Sequence, residues 1–363
     1  AVDSITTGDY NVGIGDNAGT AITTGSENTA IGHYSLMANS TGSNNTALGD
    51  RALRYNTTAD NNTAVGYYAL LQNTTGSSNV AMGASALDAN TTGSSNVAIG
   101  WNSMTSNTTA SENTAVGQSS LGLNTTGANN SAFGKGALGA NTTAANNVAV
   151  GHGAMQGTTT GMNNVAMGKN AMLDNTTGLD NVAIGYEALH TNTTGVSNTA
   201  LGLFALHYAT TANDNTALGR NALREVTTGH SNIAIGSYAG DNITTGDSNI
   251  IIGKGIDAVS ATADNQLNIG NWIYGSAGNI GIGTTSPDVK FQVVGRAVFG
   301  DDNVTVDKQL NAVSDGGSTQ QLGLYDTRAD SSTRYSAVFH RVGTNGSMTW
   351  VGSISNHSGG VSF

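Results

Sequence analysis

Asn96-Val97-Ala98-Ile99-Gly100 returns as Asn79-Val80-Ala81-Met82-Gly83 seventeen residues earlier and as Asn113-Thr114-Ala115-Val116-Gly117 seventeen residues later. This five-residue phrase, always opened by Asn and closed by Gly, occurs fifteen times between Asn11 and Gly253 with no insertion or deletion. A fixed short period is the mark of a repeat architecture, in which each repeat is one unit covered by its neighbours.

Counted from its Asn, the repeat reads Asn, Thr/Val, Ala, apolar, Gly, two variable residues, Ala/Ser, Leu/Met, a variable pair, Asn-Thr-Thr-Gly and a polar pair. Position 4 is apolar in all fifteen copies, and position 2 is always Thr, Val, Ser or Ile, residues that suit a strand. A helix is excluded because the apolar positions do not recur at three and four, and because Gly and Thr interrupt every copy. The pattern predicts an all-β fold: a parallel β-solenoid, or β-roll, of fifteen 17-residue coils, each coil pairing its strand with the coils on either side. Fifteen coils at about 4.8 Å make a rod of roughly 65–70 Å. Strand side chains alternate, so positions 2 and 4 share one face and positions 1, 3 and 5 the other. The second face, of Asn, Ala and Gly, is expected to be packed closely by a neighbouring chain. Three rods side by side would cover it and remove lateral edges. The Asn-Thr-Thr-Gly stretch is expected to turn, with positive φ not obligatory at its Gly, which becomes Ala at Ala59, Ala110, Ala144 and Ala212.

Composition narrows the function classes. The chain of 363 residues has 50 Gly, one Pro, no Cys and only 10% charged residues. Without Cys there is neither a disulfide framework nor a thiolate metal site. A formal net charge of −11 argues against a nucleic-acid partner. The start at Ala1, with Thr6-Thr7-Gly8 as the tail of an incomplete repeat, suggests a segment of a longer protein.

The phrases NVAIG, NTAIG and NNVAVG in register, each followed by a polar turn, resemble the head repeats of trimeric autotransporter adhesins. That resemblance implies parallel β-rolls associated as a trimer, although those repeats are nearer fourteen residues. Asn268-Ile269-Gly270-Asn271, followed by GNIGIGTTSPDVKFQVVG from Gly278 to Gly295, resembles the stretch of bacteriophage tail fibres that leads toward a self-cleaving intramolecular chaperone. VGSISNHSGGVSF, from Val351 to Phe363, is similar to the sequence before such a cut. Together the resemblances favour a phage fibre over a bacterial adhesin.

After Gly253 the beat breaks. The reading divides the chain into a shaft over 1–263, a cap or transition over 264–289, and a small C-terminal β domain over 290–363 that serves as a receptor-binding tip or a trimerisation region. Alternating stretches such as VKFQVV, YSAVFHRV and SMTWVGSIS are predicted strands. Tyr325, Arg328, Tyr335, His340, Arg341 and Trp350 combine aromatic faces with hydrogen-bond donors and are the candidate receptor-binding residues. No catalytic residue is expected. Glycan hydrolysis needs two carboxylates at a set separation, and Asp50, Glu112 and Asp180 are scattered over different repeat positions, while the C-terminal acids sit in turns. No metal site or cofactor is expected either: His190 and His207, seventeen apart, meet on neighbouring coils but lack a recurring third ligand. Position 6, which carries Tyr67 and Trp101, is an outward stripe without repeated chemistry. Stacked Thr pairs raise ice binding, against which stand their adjacency in sequence and gaps such as Glu225-Val226. The resulting expectation is a homotrimeric, non-enzymatic phage tail fibre in the virion tail. It would meet a host surface glycan or protein at its tip and other virion tail proteins before Ala1. A bacterial surface adhesin is the alternative, and a depolymerase tailspike or an ice-binding solenoid are the remoter ones.

Overall fold

The computed structural model describes residues 6–294 and, beyond them, the three strands Ser336–Val342, Met348–His357 and Gly360–Ser362. No helix occurs among the described residues. Fifteen three-residue strands, from β1 (Val12–Ile14) through β6 (Val97–Ile99) to β15 (Ile250–Ile252), lie seventeen residues apart. Each pairs in parallel with the next in strict register, Ala98 opposite both Ala81 and Ala115. The chain is a parallel β-solenoid of fifteen such coils.

The register does not rest on the strands alone. Around the sixth coil, Val97 N donates to Asn113 O at 2.8 Å, Gly100 N to Met82 O at 2.8 Å and Asn102 N to Ala84 O at 3.1 Å. Met104 N then donates to Ser120 O at 3.0 Å and Thr108 N to Thr125 O at 3.2 Å. The backbone is thus satisfied coil to coil on every side, which is what allows a polar, Gly-rich chain to hold one shape.

The interior differs from the expectation in one respect that matters for function. Position 3, Ala in thirteen coils, is fully buried inside the coil, together with Ala/Ser at position 8 and Leu/Met at position 9, as in Ala98, Ser103 and Met104. The Ala face therefore packs on its own chain and is not a subunit interface. Positions 2 and 4 face outward; none of the fifteen position-4 side chains is buried. The coil interior is filled by Ala, one Leu or Met and two Asn, and the alternation that turns position 3 inward turns positions 2 and 4 outward.

Both Asn positions are inside. Asn96 Nδ2 donates to Asn79 Oδ1 at 3.1 Å and to Ala110 O at 2.8 Å, and Asn107 Nδ2 donates to Asn90 Oδ1 at 2.9 Å and to the same Ala110 carbonyl at 3.1 Å. Position 15 is thus the acceptor on which two amide ladders converge. Both ladders run head to tail, so replacing one member strands its neighbour's oxygen. Thr158 and Ala209 stand where Asn belongs, and Asn141 Oδ1 and Asn192 Oδ1, one coil before each, are buried without a partner. Thr158→Asn is expected to donate to Asn141 Oδ1 and to accept from Asn175, whose Nδ2 now donates to Gly178 O at 3.3 Å and reaches Thr158 Oγ1 at 3.5 Å. The gain should be about 1–2 kcal/mol, read as a raised denaturation midpoint at unchanged slope.

The corners turn through left-handed backbone. In the sixth coil Gly100 has φ +131°, Asn102 +53°, Met104 +52° and Glu112 +61°, and the same four positions repeat along the rod. Leu or Met at position 9 accepts a conformation costing roughly 1–2 kcal/mol because its side chain is fully buried, which returns about 1.5–3 kcal/mol. The Gly of Asn-Thr-Thr-Gly is not left-handed, in line with its replacement by Ala in four coils.

The coil register outlasts the sequence beat. Gln266 takes the Asn position, its backbone N donating to Asn249 Oδ1 at 2.8 Å and its Nε2 to Ala263 O at 2.8 Å, and β16 (Leu267–Ile269) pairs in parallel with β15. β17 (Ile273–Ser276) and β18 (Asn279–Ile282) then fold back antiparallel, and β19 (Phe291–Val293) pairs with β18. This reversal gives the last coil a partner for its open edge. Contacts divide the chain at residue 297/298. In the second unit β20 (Ser336–Val342) pairs antiparallel with β21 (Met348–His357), and β21 with β22 (Gly360–Ser362).

Candidate functional site

An outward apolar stripe runs along the shaft's surface. Position 4 contributes Ile14 at 58% exposure, Leu48 at 44%, Phe133 at 42% and Ile235 at 39%, and position 2 adds Val12, Val148, Ile233 and Ile250. These side chains stand on the strand wall of successive coils, and the strict register makes them one stripe along the shaft. Monomeric soluble proteins rarely leave apolar surface continuous over such a length.

Position 6 is outward, with Tyr67 50% and Trp101 56% exposed. His190 and His207 do meet: their rings stack at 5.0 Å between centroids. His207 Nδ1 lies 3.1 Å from Glu187 O, and burial pushes its pKa down. His190 Nδ1 is 3.9 Å from Asp174 Oδ2. Among the described residues no group of three or more His, Asp or Glu is arranged to hold a metal. The acids at Asp50 and Asp180 are held by neighbours one coil away, Asp50 Oδ1 by His33 Nδ1 at 2.9 Å and Asp180 Oδ1 by Asn163 Nδ2 at 3.1 Å. A shallow depression of about 330 Å³ lies over the sixth to ninth coils, where Gly122, Gly136 and Gly139 replace larger residues beside Asn102, Ser119 and Gln156.

Among the described residues the one strongly displaced carboxyl is Asp241, pushed up to about 6, first by burial and then by its hydrogen bond to Asp257 and the charges of Asp257 and Glu225. A raised carboxyl favours the protonated form. Its contribution is therefore fully present below its ordinary value near 3.8 and is lost as pH rises through about 6. Asp241→Asn is expected to raise the melting temperature above pH 7 and to flatten its fall between about pH 4 and 6, measured by circular dichroism across that range.

The row of second Thr residues is continuous, and the first row is broken by Ser40 alone. Val226 occupies the Asn position and leaves Thr227-Thr228 in phase, so the Glu225-Val226 gap lies outside the row. The first Thr of each pair donates its hydroxyl to the next coil's backbone, as Thr108 Oγ1 does to Thr125 O at 3.2 Å. The second is exposed in every coil from Thr24 to Thr245.

Of the six C-terminal candidates, Tyr325, Arg328 and Tyr335 lie outside the described residues. His340 and Arg341 on β20 pair with Trp350 and Thr349 on β21, beside an irregularity between Phe339 and His340. The ladder thus places three of the six at neighbouring register positions. No protein-family model matches the chain, and comparison with curated proteins and with solved structures gives no match.

Proposed function

We propose that the solenoid is the shaft of a fibre built from three copies of the chain, of the bacteriophage tail-fibre kind, which carries a host-surface-binding tip at a distance and performs no catalysis. The observation that carries this reading is the apolar stripe at positions 2 and 4. Its position-4 row is apolar in all fifteen coils, and none of these side chains is buried among the described residues, which leaves it open to a second and third copy. Parallel copies in register would bury Ile, Val, Leu, Met and Phe at about 25 cal/mol per Å². The stoichiometry of three, the virion location and the tip's glycan or protein receptor come from the family resemblance. Light scattering should give about 110 kDa, three times the 36.6 kDa chain. Ile99→Glu with Val116→Glu, which places like charges on adjacent coils of the stripe, should shift the mass toward 36.6 kDa while the β-rich circular dichroism persists. A wild-type monomer would overturn the reading. The unbroken exposed Thr row favours a second reading, a water-ordering surface, for which thermal hysteresis in solution is the test.

A further inference from the structure

Lys and Arg are rare on the coils: between Asn11 and Gly253 there are six, Arg51, Arg54, Lys135, Lys169, Arg220 and Arg224. Two of them share the third coil. The stacking of coils two to four brings Tyr34, Arg51 and Tyr68 to the same position of successive repeats, with Arg54 and Tyr55 beside them. The Arg51 guanidinium lies 5.3 Å from the Tyr68 ring centre and donates from Nη1 to Tyr68 Oη. Arg54 sits 4.7 Å over the Tyr34 ring and 5.0 Å over Tyr55. Tyr67, half exposed, stacks on Tyr68 at 3.9 Å between centroids and 16° between planes.

The two guanidiniums have no ion pair among the described residues, where Arg224, by contrast, is paired with Glu225 at 3.1 Å. Arg54 makes no side-chain hydrogen bond there; Nε of both Arg51 and Arg54 is buried without a partner, so the Nη groups are the donors a ligand can reach. The nearby acid, Asp50, places one oxygen 2.9 Å from His33 Nδ1 and lends its charge to Arg51 without forming a salt bridge with it. Two cations with unused donors, fixed by aromatic faces on an acidic rod, form a preorganised anion site about 10 Å along the axis. Tyrosine faces take the C–H face of a pyranose ring, and a guanidinium takes a carboxylate through two parallel N–H donors. Nucleic acid is disfavoured, since a chain of net charge −11 repels so dense a polyanion.

We infer that the Tyr34–Arg51–Tyr68 row with Arg54 is a binding site for carboxylated polysaccharide, chains of uronate-type pyranoses, on the side of the shaft. The inference deepens the fibre reading by giving the shaft its own contact with a host-surface glycan, separate from the tip. The test is binding of the full chain to polygalacturonate, with neutral dextran and a double-stranded DNA oligonucleotide as comparison probes. Polygalacturonate should bind, weaken with salt and outcompete both. Arg51→Gln with Arg54→Gln should lower its affinity by about tenfold or more, roughly the 1.4 kcal/mol expected for losing charge-assisted contacts. Arg51→Lys with Arg54→Lys, which keeps charge and stem, should lose an intermediate amount and serves if the first variant misfolds. Equal binding of dextran, tighter binding of DNA, or an unchanged affinity in a folded variant overturns the site. The mass in solution is read on the same samples. A monomer that binds sinks the trimeric fibre and keeps the site, whereas a trimer that does not bind does the reverse.

Discussion

Gly168→Ala is expected to cost about 3–5 kcal/mol and to split the melting of the solenoid, whereas Gly178→Ala in the same coil should cost about 1 kcal/mol or less. Gly168 has φ +138°, and a Cβ there would fall 2.7 Å from the carbonyl carbon of Gly185 in the next coil and 3.2 Å from Tyr186 N. Neither neighbour can give way, because Gly185 N itself donates to Met167 O at 2.8 Å and holds the two coils in register. Strained φ contributes about 1–3 kcal/mol and forced overpacking a similar amount. Gly178 is also tight, its Cβ 2.5 Å from Gly195 O, but its φ is not left-handed and the chain itself carries Ala at this position in four coils. Coils stabilise only their neighbours, so a fault between the tenth and eleventh uncouples the rod into two segments with separate transitions. Circular dichroism melts of the two variants decide it. Equal Tm values would show that position 5 is not the constraint on coil stacking.

The division between what the sequence makes legible and what it does not follows from where the information sits. Phase is legible: the seventeen-residue period sets every pairing, and the strand, the left-handed Gly at position 5 and the inward Leu or Met at position 9 are all readable from one coil. Direction is harder. Alternation separates two strand faces without saying which is inside, and the habit of putting the larger aliphatics inside fails here. Here Ala98, Met104, Asn96 and Asn107 fill the interior, and the alternation that turns Ala98 inward turns Ile99 outward. The left-handed residues at positions 7, 9 and 17 are masked by ordinary side chains such as Leu36 and Tyr34; the readable signal is the occasional Gly in the same phase, at Gly19, Gly136, Gly153 and Gly240. The arginine site lies in the spacing too, since Tyr34, Arg51 and Tyr68 are seventeen apart, but only stacking shows that Asp50 Oδ1 meets His33 Nδ1 and that neither guanidinium has a salt bridge among the described residues. Beyond the coils there is no period to read, and the tip candidates rest on residue type alone.

The same logic of phase gives the buried amides a testable consequence. Asn198 N and Nδ2 donate to Asn181 Oδ1 at 2.9 and 3.1 Å, its Nδ2 donates to Ala212 O at 2.7 Å, and its Oδ1 accepts from Asn215 N and Nδ2, each at 3.1 Å. Here Ala209 replaces the second Asn, so Asn198 is the one side-chain donor to Ala212 O. Asn198→Leu keeps the volume but strands Ala212 O and Asn215 N–H in a dry interior, at about 1–3 kcal/mol each, so about 2–6 kcal/mol at any pH. Asn198→Asp keeps the acceptor and removes the donor, setting a charged oxygen against Asn181 Oδ1 and Ala212 O. Burial and these facing oxygens should raise its carboxyl pKa well above the ordinary value near 4, since the protonated form alone can donate. Its stability should therefore approach the parent's at low pH and fall as pH rises through the raised value, by at least about 3 kcal/mol at pH 7. Denaturant midpoints of the two variants from pH 4 to 8 separate the cases. A flat profile for Asn198→Asp would mean that the ladder oxygen is reached by water, and that the amides hold the coils by shape and not by donation.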